Sequence, residues 1–196
     1  MPQLSKKGID LPTSPIRKLV VYSDQAKAKG IEVLHLNIGQ PDIAAPKEAI
    51  AAVKNSDLDL LPYGPSQGTL TYREKLVTYY SKHGIDVSSE DIIVTTGASE
   101  ALTFALNVIC DAGDEIIIPE PFYANYNGFA SAASVRVVPV ISEFHSQFEL
   151  PSLENINKKI TSKTRAILLC NPSNPTGYVY SKQEIDTLCE LAVKHD

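Results

Sequence analysis

The chain has little of what several function classes require. Its three cysteines, Cys110, Cys170 and Cys189, are odd in number and widely spaced, each inside an apolar segment. That pattern argues against a disulfide frame or a metal site and reads as small buried hydrophobes in a reducing compartment. The four histidines are scattered, with no second ligand near any of them. Positive charge is not concentrated either. Lys6-Lys7 and Lys158-Lys159 are isolated pairs, and 18 basic against 23 acidic residues leave a net charge of −5. A nucleic-acid or anionic-membrane surface needs a clustered basic face, so neither partner is expected. No apolar run approaches the ~20 residues of a membrane span. Residues 1–14, MPQLSKKGIDLPTS, lack the apolar stretch of a signal peptide, and the expected location is cytoplasmic.

What is present suits a well-buried core. Hydrophobic residues make up 43% of 196, enough for one sizeable domain, or for one domain with part of another. Ser14-Pro15 reads as a helix start, with the helix running to Gly30. IEVLHLNIG (31–39) reads as a strand, and helices are expected over 46–55 and 69–84. From there the alternation becomes regular. Strands are expected at 92–96, 115–119, 135–142 and 165–170, and helices at 98–111, 123–133, 153–160 and 181–195. The last helix opens on a capping box, Ser181 with Glu184. Continuous Val, Ile and Leu strands separated by helices imply a sheet buried on both faces. The expected class is α/β, a three-layer α/β/α arrangement with a mostly parallel sheet.

Three stretches at the carboxyl ends of expected strands could carry chemistry. TTGASEA, Thr95 to Ala101, turns at Gly97 into a helix, so free N–H groups and the positive helix end meet the Ser99 hydroxyl. That suits a phosphate, although any tight strand-to-helix turn favours Gly and Ser. It is neither the G-x-G-x-x-G dinucleotide fingerprint nor a P-loop. PEPFYANY, Pro119 to Tyr126, exposes an aromatic face on which a ring could stack, or an aromatic simply packing under a loop. NPSNPTG, Asn171 to Gly177, crowds two Asn-Pro steps and a Gly into a rigid turn. In open α/β sheets ligands bind outside the carboxyl ends of the strands. A planar, phosphorylated ligand would suit all three.

Together, NIGQPD, YGPSQGTLTYREKL, TTGASEAL, PEPFYANY and NPSNPTG resemble the pyridoxal-phosphate aminotransferases of class I/II, in that family's order, from about Ser14 to Asp196. The resemblance implies roles by position. Gly97, Ala98 and Ser99 match the turn that binds the phosphate of pyridoxal 5'-phosphate, and Tyr123 matches the aromatic stacked on its ring. Asn174 matches the amide that donates to the ring's phenolic oxygen, before a peptide to Pro175 that is often cis in the family. Gly39 matches a glycine lying against the substrate's α-carboxylate. Tyr63 matches a tyrosine reaching the neighbouring subunit's phosphate, or else packs locally in its Gly/Pro-rich loop. A homodimer acting on an amino acid and a 2-oxo acid is implied.

The resemblance also implies what lies elsewhere. The family chain is roughly twice as long, and its Schiff-base lysine and ring-nitrogen aspartate fall beyond the position of Asp196. No lysine here matches the lysine motif, so no catalytic residue is assigned and the chain alone is expected to be inactive. Residues 1–45 are expected to form an N-terminal arm with part of a small domain, and 46–196 the first portion of a large cofactor-binding domain. Two other readings remain open: a lyase or synthase of the same fold, such as a C–S lyase or aminocyclopropane-carboxylate synthase, and a non-catalytic dimerisation or cofactor-binding module.

Overall fold

The computed structural model describes residues 2–14, 16–57 and 59–196. They form two compact units. One comprises the chain up to Asp24 together with Ser99–Asp196, and the other is Gln25–Ala98.

The first unit is built around β1 (Glu115–Glu120), β2 (Arg136–Ile141) and β3 (Thr164–Ile167). All pair in parallel, in the order β2-β1-β3, with β1 at the centre. Ile116, Ile117 and Ile118 of β1 are essentially inaccessible, as a strand covered on both faces requires. Alternation along the strand sends them to opposite sides. Ile116 and Ile118 pack with Leu106 of a helix at Ala98–Ile109 and with Tyr126 and Ala130 of another at Asn125–Ala132. Ile117 packs with Ile156 of a short helix at Leu153–Asn157 and with Leu188 and Leu191 of the helix at Lys182–His195. Two helical layers thus enclose the sheet, and the α/β/α expectation holds.

In chain order the helices are α1 (Lys6–Asp10), α2 (Val20–Ala28), α3 (Lys47–Lys54), α4 (Leu70–Ser81), α5 (Ala98–Ile109), α6 (Asn125–Ala132), α7 (Leu153–Asn157) and α8 (Lys182–His195). The box on α8 forms as expected: the Ser181 hydroxyl accepts from the Glu184 N–H at 3.2 Å, and the Glu184 carboxylate accepts from the Ser181 N–H at 2.7 Å. The five-residue α1, capped by Ser5, is not expected from the sequence. Pro15, the expected first helical residue, lies outside the described residues. Beyond it a 3₁₀ turn at Arg17–Leu19 leads into α2.

Two expected strands are absent among the described residues. Residues 31–39 and 92–96 carry strand-like sequence but belong to no ladder. A strand exists through its neighbour's hydrogen bonds, and here the Val94 N–H donates instead to the Gln67 carbonyl at 3.0 Å. That bond belongs to a clasp inside the second unit. Arg73 of α4 is buried there and donates to the carbonyls of Gly68 and Ser89 and to the Glu90 carboxylate. One guanidinium thus ties the GPSQG loop to the turn at Ser89–Asp91.

Candidate functional site

Because β1 and β3 are parallel neighbours, the segments leaving their carboxyl ends emerge side by side. Each turns on proline. Beyond β1 the Glu120–Pro121 bond is cis, and beyond β3 both Asn171–Pro172 and Asn174–Pro175 are cis, the last as the resemblance implies.

The β1 exit carries Phe122, Tyr123 and Tyr126. Tyr126 is buried, stacked on Phe122 with ring centres 6.3 Å apart and met edge-on by Tyr123 at 5.5 Å. The Tyr123 hydroxyl accepts from the Asn125 side-chain amide at 2.7 Å, which fixes the ring's direction. Burial, with the Cys170 thiol beside it, pushes the Tyr126 hydroxyl up to about 12, so it stays a neutral packing group.

Cys170 packs against the same cluster and closes the β3 exit. Its sulfur lies 3.4 Å from the Pro172 carbonyl and accepts from the Asn174 N–H at 3.4 Å. The turn then folds on itself. The Gly177 N–H donates to the Ser173 carbonyl, the Ser173 N–H donates to the Tyr178 carbonyl (both 2.8 Å), and Gly177 takes φ +74°. Its two asparagines have different fates. The Asn171 side-chain oxygen accepts from the Tyr180 N–H at 3.2 Å and is consumed by the turn. Asn174 is exposed, and its side-chain amide makes no hydrogen bond among the described residues.

The third stretch opens α5, and the boundary between the two units falls inside it, between Ala98 and Ser99. On one side Gly97 takes φ +77°, with no atom within 4 Å of where a Cβ would stand. Its carbonyl accepts from the Thr95 hydroxyl at 3.0 Å. On the other side Ser99 is exposed in the first turn of α5, one turn before Leu102. Leu102 packs on the cluster that also holds Tyr123 and Cys170. Gly39 and Tyr63 lie in the second unit, both exposed, and Tyr63 is fully accessible among the described residues.

The donor set fits a planar phosphorylated group such as pyridoxal phosphate. It offers a helix start with a hydroxyl in its first turn, an oriented aromatic ring and an amide with its donors unspent. Sequence reasoning missed the support beneath this set. Tyr178 donates to Glu184 at 3.0 Å, and Cys170 bonds the turn through its sulfur. Neither has a recognised motif: the partners lie six and four positions apart, and the turn between them, not their spacing, brings them together.

Residues 31–196 match the family model for aminotransferase class I and II. An aspartate aminotransferase of Bacillus subtilis (strain 168) is 33% identical over 196 residues, covering 99% of this chain and 50% of that protein. The glutamate-pyruvate aminotransferase AlaA of Escherichia coli (strain K12) is 34% identical over 172 residues, covering 86% and 42%. Among solved structures, alanine aminotransferase from Pyrococcus furiosus superposes with a TM-score of 0.88 at 32% identity, over 98% of this chain and 50% of that one. The chain spans about half the length of the curated relatives it matches. It belongs to the class I and II aminotransferases.

Proposed function

We propose that this chain contributes the phosphate-binding and ring-binding walls of an aminotransferase site. That site would hold pyridoxal 5'-phosphate and pass an amino group from an amino acid to a 2-oxo acid. The observation that carries the reading is the pairing of two exits from neighbouring parallel strands, one presenting the ring of Tyr123 and the other the unspent amide of Asn174. When bound, the cofactor supplies the electron sink that such transfers need.

Every role given to these residues is one of binding and orientation. The N–H groups of Ala98 and Ser99, with the Ser99 hydroxyl, hold the phosphate dianion at the start of α5, where Gly97 makes the turn and gives its own N–H to the Thr95 carbonyl at 2.8 Å. Tyr123 supplies a flat apolar face, and Asn174 donates to the ring's phenolic oxygen. Gly39 brings backbone against the substrate carboxylate. Tyr63, fully exposed among the described residues, reaches the phosphate of a partner subunit in a cytoplasmic homodimer. Residues 1–45 serve as arm and part of the small domain, and 46–196 as part of the cofactor domain. No lysine within 1–196 takes the covalent role, so the chain alone binds without turning over.

The test is to titrate the chain with pyridoxal phosphate, then add an amino acid and a 2-oxo acid. We expect saturable binding and no oxo-acid exchange. Ser99→Ala should weaken binding roughly tenfold, the loss of one hydrogen bond to a charged group. Binding that ignores Ser99→Ala overturns the phosphate assignment, and sustained exchange by residues 1–196 overturns the division of labour.

A further inference from the structure

The Glu184 carboxylate accepts four hydrogen bonds from three residues, Leu150, Tyr178 and Ser181. Oε2 takes the Ser181 N–H, as a capping box requires, and the Ser181 hydroxyl besides, both at 2.7 Å. Oε1 does something the cap does not need. It accepts from the Leu150 N–H at 3.0 Å, 34 positions back on the approach to α7, and from the Tyr178 hydroxyl at 3.0 Å. Tyr178 closes the NPSNPTG turn: its carbonyl receives the Ser173 N–H, and its own N–H donates to the Thr176 hydroxyl at 3.2 Å. Between Ser173 and Tyr178 stands Asn174.

We propose that Glu184 is a positioning residue for Asn174, acting through Tyr178 to hold the Asn-Pro turn at the angle the cofactor ring requires. The inference rests on the reading of Asn174 given above. The turn has no regular secondary structure and its bonds are mostly internal, so something must fix it to the body of the fold. The Glu184 carboxylate does so from the first turn of α8, whose far residues Leu188 and Leu191 are buried under the sheet. Burial pushes Glu184 up, but the bonds from Ser181, Leu150 and Tyr178 outweigh it and hold the carboxyl below its ordinary range. Burial and the neighbouring carboxylate push the Tyr178 hydroxyl up to about 12. At neutral pH one partner is therefore a full acceptor and the other a full donor, the pairing that makes a strong hydrogen bond.

The test separates the two oxygens. Tyr178→Phe removes one bond to Oε1 and leaves the cap intact; Ser181→Ala cuts the cap and leaves Tyr178 bonded. Hydrogen exchange is followed at the amides of Ser173, Gly177 and Tyr180, with Ile185 at the α8 start as reference, and affinities for pyridoxal phosphate and inorganic phosphate are measured alongside. Tyr178→Phe is expected to speed exchange in the turn about tenfold without moving Ile185. It should weaken pyridoxal phosphate several-fold and leave inorganic phosphate unchanged. Ser181→Ala should move Ile185 and spare the turn. Wild-type binding of pyridoxal phosphate that Tyr178→Phe leaves unaltered overturns this inference alone. A wild-type chain that takes up no pyridoxal phosphate overturns the reading of Asn174, and the positioning role with it.

Discussion

Gly68 sits where the chain has no room for a side chain. Its φ is +90°, and a Cβ there would stand 2.7 Å from both Cβ and Cγ2 of Val94. Val94 cannot withdraw, because its N–H is bonded to the Gln67 carbonyl while Arg73 holds the carbonyl of Gly68 itself. Gly68→Ala is therefore expected to destabilise the chain by roughly 1–3 kcal/mol through overpacking alone. Gly64→Ala, with no atom within 4 Å and no positive φ, should stay within about 0.5 kcal/mol. Denaturant unfolding of the two variants checks the contrast. The same scale explains a limit of sequence reading. Asn171 and Asn174 both precede proline and look equivalent as letters. Only the fold shows that one oxygen is consumed by Tyr180 while the other amide stays available.

At the scale of elements, stability concentrates in β1. Ile117 is wholly buried against Ile156, Leu188 and Leu191, whereas Ile141 at the end of β2 is 63% exposed. Ile117→Ala should cost about 2–5 kcal/mol, because the cavity has rigid walls on all sides. Ile141→Ala should cost about 0.5 kcal/mol or less. Midpoints of chemical denaturation distinguish them. Elements with a local cause were legible in the sequence. The Ser181–Glu184 cap and the apolar runs of β1, β2 and β3 each announce themselves within a few residues. Residues 31–39 and 92–96 were misread because period and composition describe a strand's surface, while its existence depends on a distant partner. Glu184 was half legible for the same reason: Ser181 and Tyr178 lie within six positions of it, but its bond to Leu150, 34 positions back, depends on where the α7 approach lies.

At the scale of the molecule, family membership and site geometry come from different observations. Membership rests on the match of residues 31–196 to the family model. The site rests on two parallel strands whose exits place Tyr123 and Asn174 on one edge of the first unit, with Ser99 attached to the same hydrophobic cluster through Leu102. The central claim is that these residues, and not some other groove, receive pyridoxal phosphate. It is tested most directly by following backbone amide resonances of the isotopically labelled chain as the cofactor is added. The account predicts shifts at Gly97, Ala98 and Ser99, at Tyr123 and at Asn174, with inorganic phosphate reproducing only those at residues 97–99. Shifts confined to another surface, such as the groove lined by Leu11, Pro12 and Phe129, with Tyr123 and Asn174 unmoved, would contradict it.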